Sequence, residues 1–201
     1  MKNATYMASD EIAIDEQQKV NRDKKYYEAF VNGDNKAFEA LVIEYKDHLI
    51  YFINRFVQNI TIAEDLAQDV FVDILLHKER YEYRVSFKTY LFTIGRNKAV
   101  DYIRKNQKIT LVEELPEDSI QERGLENKIV RDEEQRLLYR MIACLKDDYR
   151  IAIMLIDLEG FSYAQAARIL HKSDAQMKIL IYRARKSLAK LMEKEGFTYE
   201  K

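Results

Sequence analysis

The residues that invite chemistry in this chain are three histidines, one cysteine and a carboxylate cluster, and their spacing argues against catalysis. His48, His77 and His171 lie far apart, and none has a partner at metal-ligand spacing. The five glycines, Gly33, Gly95, Gly124, Gly160 and Gly196, stand singly, so no glycine-rich phosphate loop exists. Glu64, Asp65 and Asp69 share a helical stretch, but Glu64 and Asp69 are five apart and diverge. Only Asp65 and Asp69 share a face, which reads as charged surface rather than a divalent-cation site. Cys144 is alone, so no internal disulfide forms, and its apolar helical setting predicts a buried small side chain. These residues point to no enzyme, no cofactor and no metal.

Charge is the chemistry that remains, and it is unevenly placed. The chain of 201 residues carries 33 Lys and Arg against 34 Asp and Glu, a formal charge of -1. Ser86 to Lys108 holds Lys88, Arg96, Lys98, Arg104, Lys105 and Lys108 against Asp101 alone. Arg168 to Lys190 holds Arg168, Lys172, Lys178, Arg183, Arg185, Lys186 and Lys190 against Asp174. Between them Ile109 to Gln135 carries nine acids and three bases. A near-neutral total therefore conceals a basic, acidic, basic layout, suited to a polyanion touched at two separated places. Solvated helix faces would give the same charge pattern.

These residues must be positioned by helices. One Pro, Pro116, and few Gly leave long uninterrupted runs, and 47% apolar residues are ample for cores. Residues 1–21 read as a polar, weakly ordered extension. From Lys36 the run Phe38, Leu41, Val42, Tyr45, Leu49, Phe52, Ile53, Phe56 keeps helical spacing. Thr61 with Glu64 predicts a capping box for the next helix, with Ala63, Leu66, Ala67, Val70, Phe71, Ile74 and Leu75 inward. His77 to Val85 reads as a loop. Ser86 caps a third helix to about Lys105, with Phe87, Tyr90, Leu91, Ile94 and Ile103 inward. The expected fold class is all-α: a first unit over 22–108, an acidic linker over 109–125, a second helical unit over 126–192 and a tail over 193–201. The amino terminus lacks the apolar core of a signal peptide and no run is long enough to cross a bilayer, so the expectation is a cytoplasmic chain without membrane insertion.

The strongest local pattern is Leu158-Glu159-Gly160-Phe161-Ser162-Tyr163-Ala164-Gln165-Ala166-Ala167-Arg168, continuing to Lys178. Gly160 ends one helix, Ser162 with Gln165 caps the next, and Ser173 with Gln176 caps another eleven residues on. His171-Lys172 supplies the turn. A short helix, a brief turn and a longer basic helix form the helix-turn-helix geometry that places a recognition helix in the major groove. Lys178, Arg183 and Lys186 are then candidates for phosphate or base-edge contact.

Two blocks resemble the bacterial sigma-70 family of RNA polymerase sigma factors, specifically its compact extracytoplasmic-function group. Ala37-Phe38-Glu39-Ala40-Leu41, Ala63-Glu64-Asp65-Leu66-Ala67-Gln68-Asp69-Val70-Phe71 and Phe87 to Arg104 are similar to the family's region 2. Leu145 to Leu191, with Tyr182-Arg183-Ala184-Arg185-Lys186-Ser187-Leu188, is similar to region 4. The resemblance covers about 150 residues in the family's order. It implies that Glu64, Asp65 and Gln68 dock on core RNA polymerase. It implies that Lys88, Tyr90, Asn97, Lys98, Asp101 and Arg104 face the -10 element of promoter DNA. A flipped base would enter the loop His77 to Val85, near Tyr81, Tyr83 and Phe87. Arg168, Lys178, Tyr182, Arg183 and Lys186 would serve the -35 element. The family is often held inactive by an anti-sigma factor that wraps both domains, a partner this sequence does not itself show.

This chain departs from the pattern at four places. Tyr90 stands where Trp is usual, and Lys146 follows Leu145 where Pro is usual. Ile179 and Leu180 replace polar residues on the recognition helix, and residues 1–21 exceed the minimal form. Two other readings compete with the initiation factor: a stand-alone helix-turn-helix regulator, and a sigma-like protein-interaction module.

Overall fold

Long breaker-free runs with apolar residues every three or four positions leave the chain little choice but helix, and the computed structural model is all-helical over the residues it describes. Those are residues 2–110, 138 and 140–194, with side chains described for 17–106, 138 and 140–194. Helices α1 (Lys2–Val31), α2 (Asn35–Val57), α3 (Ile60–Leu76) and α4 (Phe87–Thr110) build the first unit. Helices α5 (Asp147–Ile153), α6 (Tyr163–Leu170) and α7 (Asp174–Lys194) build the second.

The first unit has four helices where sequence spacing suggests three. α1 is helical from Lys2, through the stretch expected to be an extension, and its last turns lay Tyr27 and Phe30 into the core. Asp23 is buried there and accepts hydrogen bonds from the Tyr45 hydroxyl and, at 3.0 Å, from Arg22. A buried carboxylate needs such donors, so this pairing fixes α1 on α2. Phe38, Leu41, Leu49, Phe52 and Ile53 of α2 meet Ala67, Val70 and Ile74 of α3 and Leu91 and Phe92 of α4. Gly95 lets α2 and α4 approach closely: a Cβ there would lie 2.7 Å from Leu49 Cδ1.

Helix starts follow local capping chemistry, with one correction. α3 is capped by Asn59, whose side chain accepts from Ile62 N at 3.1 Å. Thr61, expected as the cap, therefore lies inside the first turn. Ser86 caps α4 through Thr89 N at 3.3 Å. Both later capping boxes are present, with Ser162 and Gln165 bonding each other's backbone N–H groups, and Ser173 and Gln176 likewise. Between α5 and α6 a π turn, Met154–Leu158, closes with Glu159 N donating to Met154 O at 2.8 Å. Gly160 then takes φ +71°, and Phe161 N returns to Leu155 O at 2.9 Å.

Two burial expectations fail. Leu75 is 46% exposed, because the inward stripe of α3 ends at Ile74. Cys144 is exposed, because it follows a helical turn that ends there and faces away from Ile142 and Leu145. The acidic linker falls almost wholly outside the described residues, except that α4 runs on through Thr110.

Candidate nucleic-acid interface

The helix-turn-helix is built from α6 and α7. Ala166, Ala167 and Ile169 of α6 are buried against Met177, Ile181 and Ala184 of α7, and the small alanines allow the close crossing. His171 makes the turn in the left-handed region at φ +53°. With that stripe inward, Lys178, Tyr182, Arg183 and Lys186 all face solvent on α7, as does Arg168 on α6. Tyr182 is 67% exposed, a large ring held out rather than packed. Ile179 is also exposed, whereas Leu180 leans onto the core. These two line an open groove of about 700 Å³ between α5 and α7 together with Lys146, Tyr149, Lys172 and Arg183. Arg185 is turned to another task. It donates to both Asp157 oxygens, at 2.5 and 3.2 Å, and to the Tyr163 hydroxyl, fixing α7 against the preceding turn.

The second basic surface is α4 and the loop before it. Of the three rings near the loop, Tyr81 and Phe87 are buried, and Tyr83 is presented at φ +60°. Tyr81 stacks on Tyr90 with centroids 4.9 Å apart and donates to Val85 O at 2.7 Å. Tyr83 leans against Tyr81 at 4.7 Å. Burial pushes the Tyr81 and Tyr90 phenols above their ordinary value, so both rings are neutral. Along the helix, Asp101 and Arg104 are exposed and paired at 3.0 Å, and Lys98 is half-buried.

Glu64, Asp65 and Gln68 lie side by side on the outer face of α3, all exposed, opposite Ala63, Ala67 and Val70. The face continues through exposed Val72, Leu75 and Leu76.

Lys88 and Asn97 are placed differently from the rest of their helix. Glu159, in the turn before α6, reaches across to α4 and α2. Its Oε2 is 2.9 Å from Lys88 Nζ and its Oε1 is 2.8 Å from His48 Nδ1. Lys88 also donates to the Glu159 carbonyl at 2.5 Å and sits 4.7 Å from the Phe161 ring centroid. Phe161 meets Phe92 edge to face at 5.1 Å, and His171 Nε2 lies 3.1 Å from Asn97 Oδ1. Burial pulls the Glu159 carboxyl upward, but His48 and Lys88 outweigh it and hold the group below the usual carboxylate range. Nothing in the sequence flags the charged core of this cluster, because His48, Lys88 and Glu159 are 40 or more positions apart and each resembles an ordinary surface charge.

Two family models match the chain in order: Sigma-70 region 2 over residues 41–109 and Sigma-70, region 4 over residues 135–188. The chain belongs to the sigma-70 family of RNA polymerase sigma factors. Within it, the chain is similar to the extracytoplasmic-function (ECF) group. ECF RNA polymerase sigma factor SigM of Bacillus subtilis (strain 168) is 28% identical over 147 residues, which are 73% of this chain and 90% of that protein. ECF RNA polymerase sigma-E factor of Escherichia coli (strain K12) is 26% identical over 176 residues, 83% of this chain and 92% of that protein. Among solved structures, the sigma factor RpoE in complex with the anti-sigma factor NepR from Bartonella quintana matches with TM-score 0.63. Its identity is 26%, over 79% of this chain and 98% of that one. CnrH in complex with the cytosolic domain of CnrY shares the fold at TM-score 0.61 and 23% identity, over 87% of this chain and 99% of that one.

In this sigma factor α2, α3 and α4 fall in region 2, and α5, α6 and α7 in region 4. The outward acid-and-glutamine face of α3 and the basic face of α4 thus belong to one region, and the exposed basic face of α7 to the other. No described helix is long and apolar enough to cross a membrane.

Proposed function

We propose that this sigma factor docks on core RNA polymerase through Glu64, Asp65 and Gln68 and reads promoter DNA with two helices. α7 takes the -35 element through Lys178, Tyr182, Arg183 and Lys186, with Arg168 on a flanking phosphate. α4 takes the -10 element through Lys98, Asp101 and Arg104 together with Lys88, Tyr90 and Asn97, and Tyr83 is the ring presented for a flipped base. The observation that carries this reading is the pair of family regions, each with its polar face turned to solvent and its apolar face in the core. Such a factor has no chemistry of its own; its work is binding and positioning. Similarity to a sigma factor solved with an anti-sigma factor supports a partner of that kind here, acting in the cytoplasm.

Core docking is tested with Glu64→Ala and Asp65→Ala, combined in the full chain. Both residues are exposed, so the variant keeps its fold and its affinity for core polymerase drops by about tenfold or more, read by fluorescence anisotropy. An unchanged affinity would remove the docking role from this face.

A further inference from the structure

Ile179 lies on the outward side of α7, where nothing in the fold requires an apolar side chain. It is 53% exposed, two positions from buried Met177 and two from buried Ile181, and so points away from the core. Leu180 beside it differs, since it packs against the core. A lone exposed isoleucine needs no explanation, but the company of Ile179 is informative. Lys178, Tyr182, Arg183 and Lys186 share its side of the helix and are all exposed, so an apolar spot sits within a cationic ridge. The capping box of Ser173 and Gln176 opens α7 at Asp174, which puts Ile179 in the second turn. In a helix-turn-helix the first turns of the second helix reach the base edges.

We propose that Ile179 is a specificity-determining residue that takes the 5-methyl group of a thymine in the major groove of the upstream promoter element. Its place at a base edge rests on the reading of α7 as the -35 helix.

The isoleucine side chain has no donor or acceptor, so it reads no hydrogen-bond pattern. Of the four bases only thymine presents a methyl group in the major groove. A cytosine at the same position lacks that methyl and offers an amino donor, which Ile179 would cut off from water without pairing. Branching at Cβ holds χ1 of a helical isoleucine nearly to one rotamer, so the contact falls on one base step rather than spreading over several. Lys178, Arg183 and Lys186 around it supply attraction to the phosphates, and Ile179 adds a sequence preference that charge alone does not. The open groove between α5 and α7 is a poorer match for an anionic partner, since Asp147 and Asp148 line it along with Lys146, Lys172 and Arg183.

The test is run-off transcription by holoenzyme assembled from the full chain and core polymerase, on promoters recovered from genomic fragments. Thymines upstream of the -10 element are replaced by deoxyuridine, first together and then singly, which removes the methyl and keeps the base pair. With wild type at limiting holoenzyme, one position is expected to lower the transcript about fourfold, the effect of one buried methyl. Ile179→Ala changes an exposed helical site that tolerates alanine. It should give less transcript than wild type on the thymine template, and the same amount on the thymine and deoxyuridine templates. Lys178→Ala should lower the transcript on both templates while keeping the fourfold ratio. Promoters without a shared upstream thymine, or a wild type indifferent to every deoxyuridine, would overturn the proposal, as would an Ile179→Ala protein that keeps the full drop. If wild type is indifferent but Ile179→Ala still loses transcript, the residue serves a protein contact and the proposal is wrong. Should the wild-type chain direct no transcript from any template, the initiation-factor reading itself fails and the proposal fails with it.

Discussion

Lys178 and Arg183 stand in solvent on α7, while Arg185, two positions on from Arg183, is held by Asp157 and Tyr163. Segment charge counts all three alike, and only packing separates the cations available for DNA from the one that orients the helix. Replacing Lys178 or Arg183 with Ala should weaken binding to the upstream element and reduce the slope of log affinity against log salt by about one unit each. Arg185→Ala should change that slope less and lower stability instead; filter binding across a salt series with urea melts distinguishes them. His48 gives the residue-scale pH prediction. Its hydrogen bond to Glu159 raises its proton affinity, burial and the charges of Lys88 and Lys19 oppose this, and the net direction is upward. A raised histidine value means that its contribution to the stability of the Glu159 contact is complete at low pH and is lost as pH rises through that value. The stability difference between wild type and His48→Gln, read by urea unfolding, should therefore shrink as pH goes from about 6 to about 8.5. A difference that grows over this interval would contradict the assignment. None of this was legible from residues 48, 88 and 159 as a sequence, since nothing local links them.

At the scale of elements the sequence is more readable, because capping and periodicity are local. The boxes at Ser162 and Ser173 and the Ser86 cap are all where their spacing puts them. Asn59 displaced Thr61 at the start of α3 because Asn caps at least as well and lies earlier on the chain. The inward role of α1 is not legible in the sequence: its polar opening disguises Tyr27 and Phe30, and the buried Asp23–Tyr45 bond that seats it joins residues 22 positions apart. Gly95 provides the stability test at this scale. Gly→Ala in a helix normally stabilises, yet here the new methyl meets Leu49 Cδ1. Gly95→Ala should cost about 1–3 kcal/mol, because the end of the Leu49 side chain must move aside and Leu49 is fully buried in the shared core. Urea unfolding measures it; a gain in stability would mean the crossing is looser than the 2.7 Å approach implies.

Taken whole, the molecule is two helical regions whose order and polar faces the sequence announces and whose mutual embrace it does not. Basic, acidic, basic patterning suits two surfaces that meet a polyanion, but the contacts between the two regions depend on geometry that composition does not encode. On the proposed reading the docking face points outward on α3 and the upstream-reading face outward on α7, while the second region touches Lys88 and Asn97 on α4. Each piece converges on one act, starting transcription at chosen sites when core polymerase is present. Run-off transcription with purified core polymerase over genomic fragments tests this most directly. The account predicts discrete transcripts that require both the chain and core, and that are lost when Glu64 and Asp65 are both replaced by Ala. Absence of any chain-dependent transcript, with the chain instead footprinting a palindromic duplex tightly without polymerase, would contradict it.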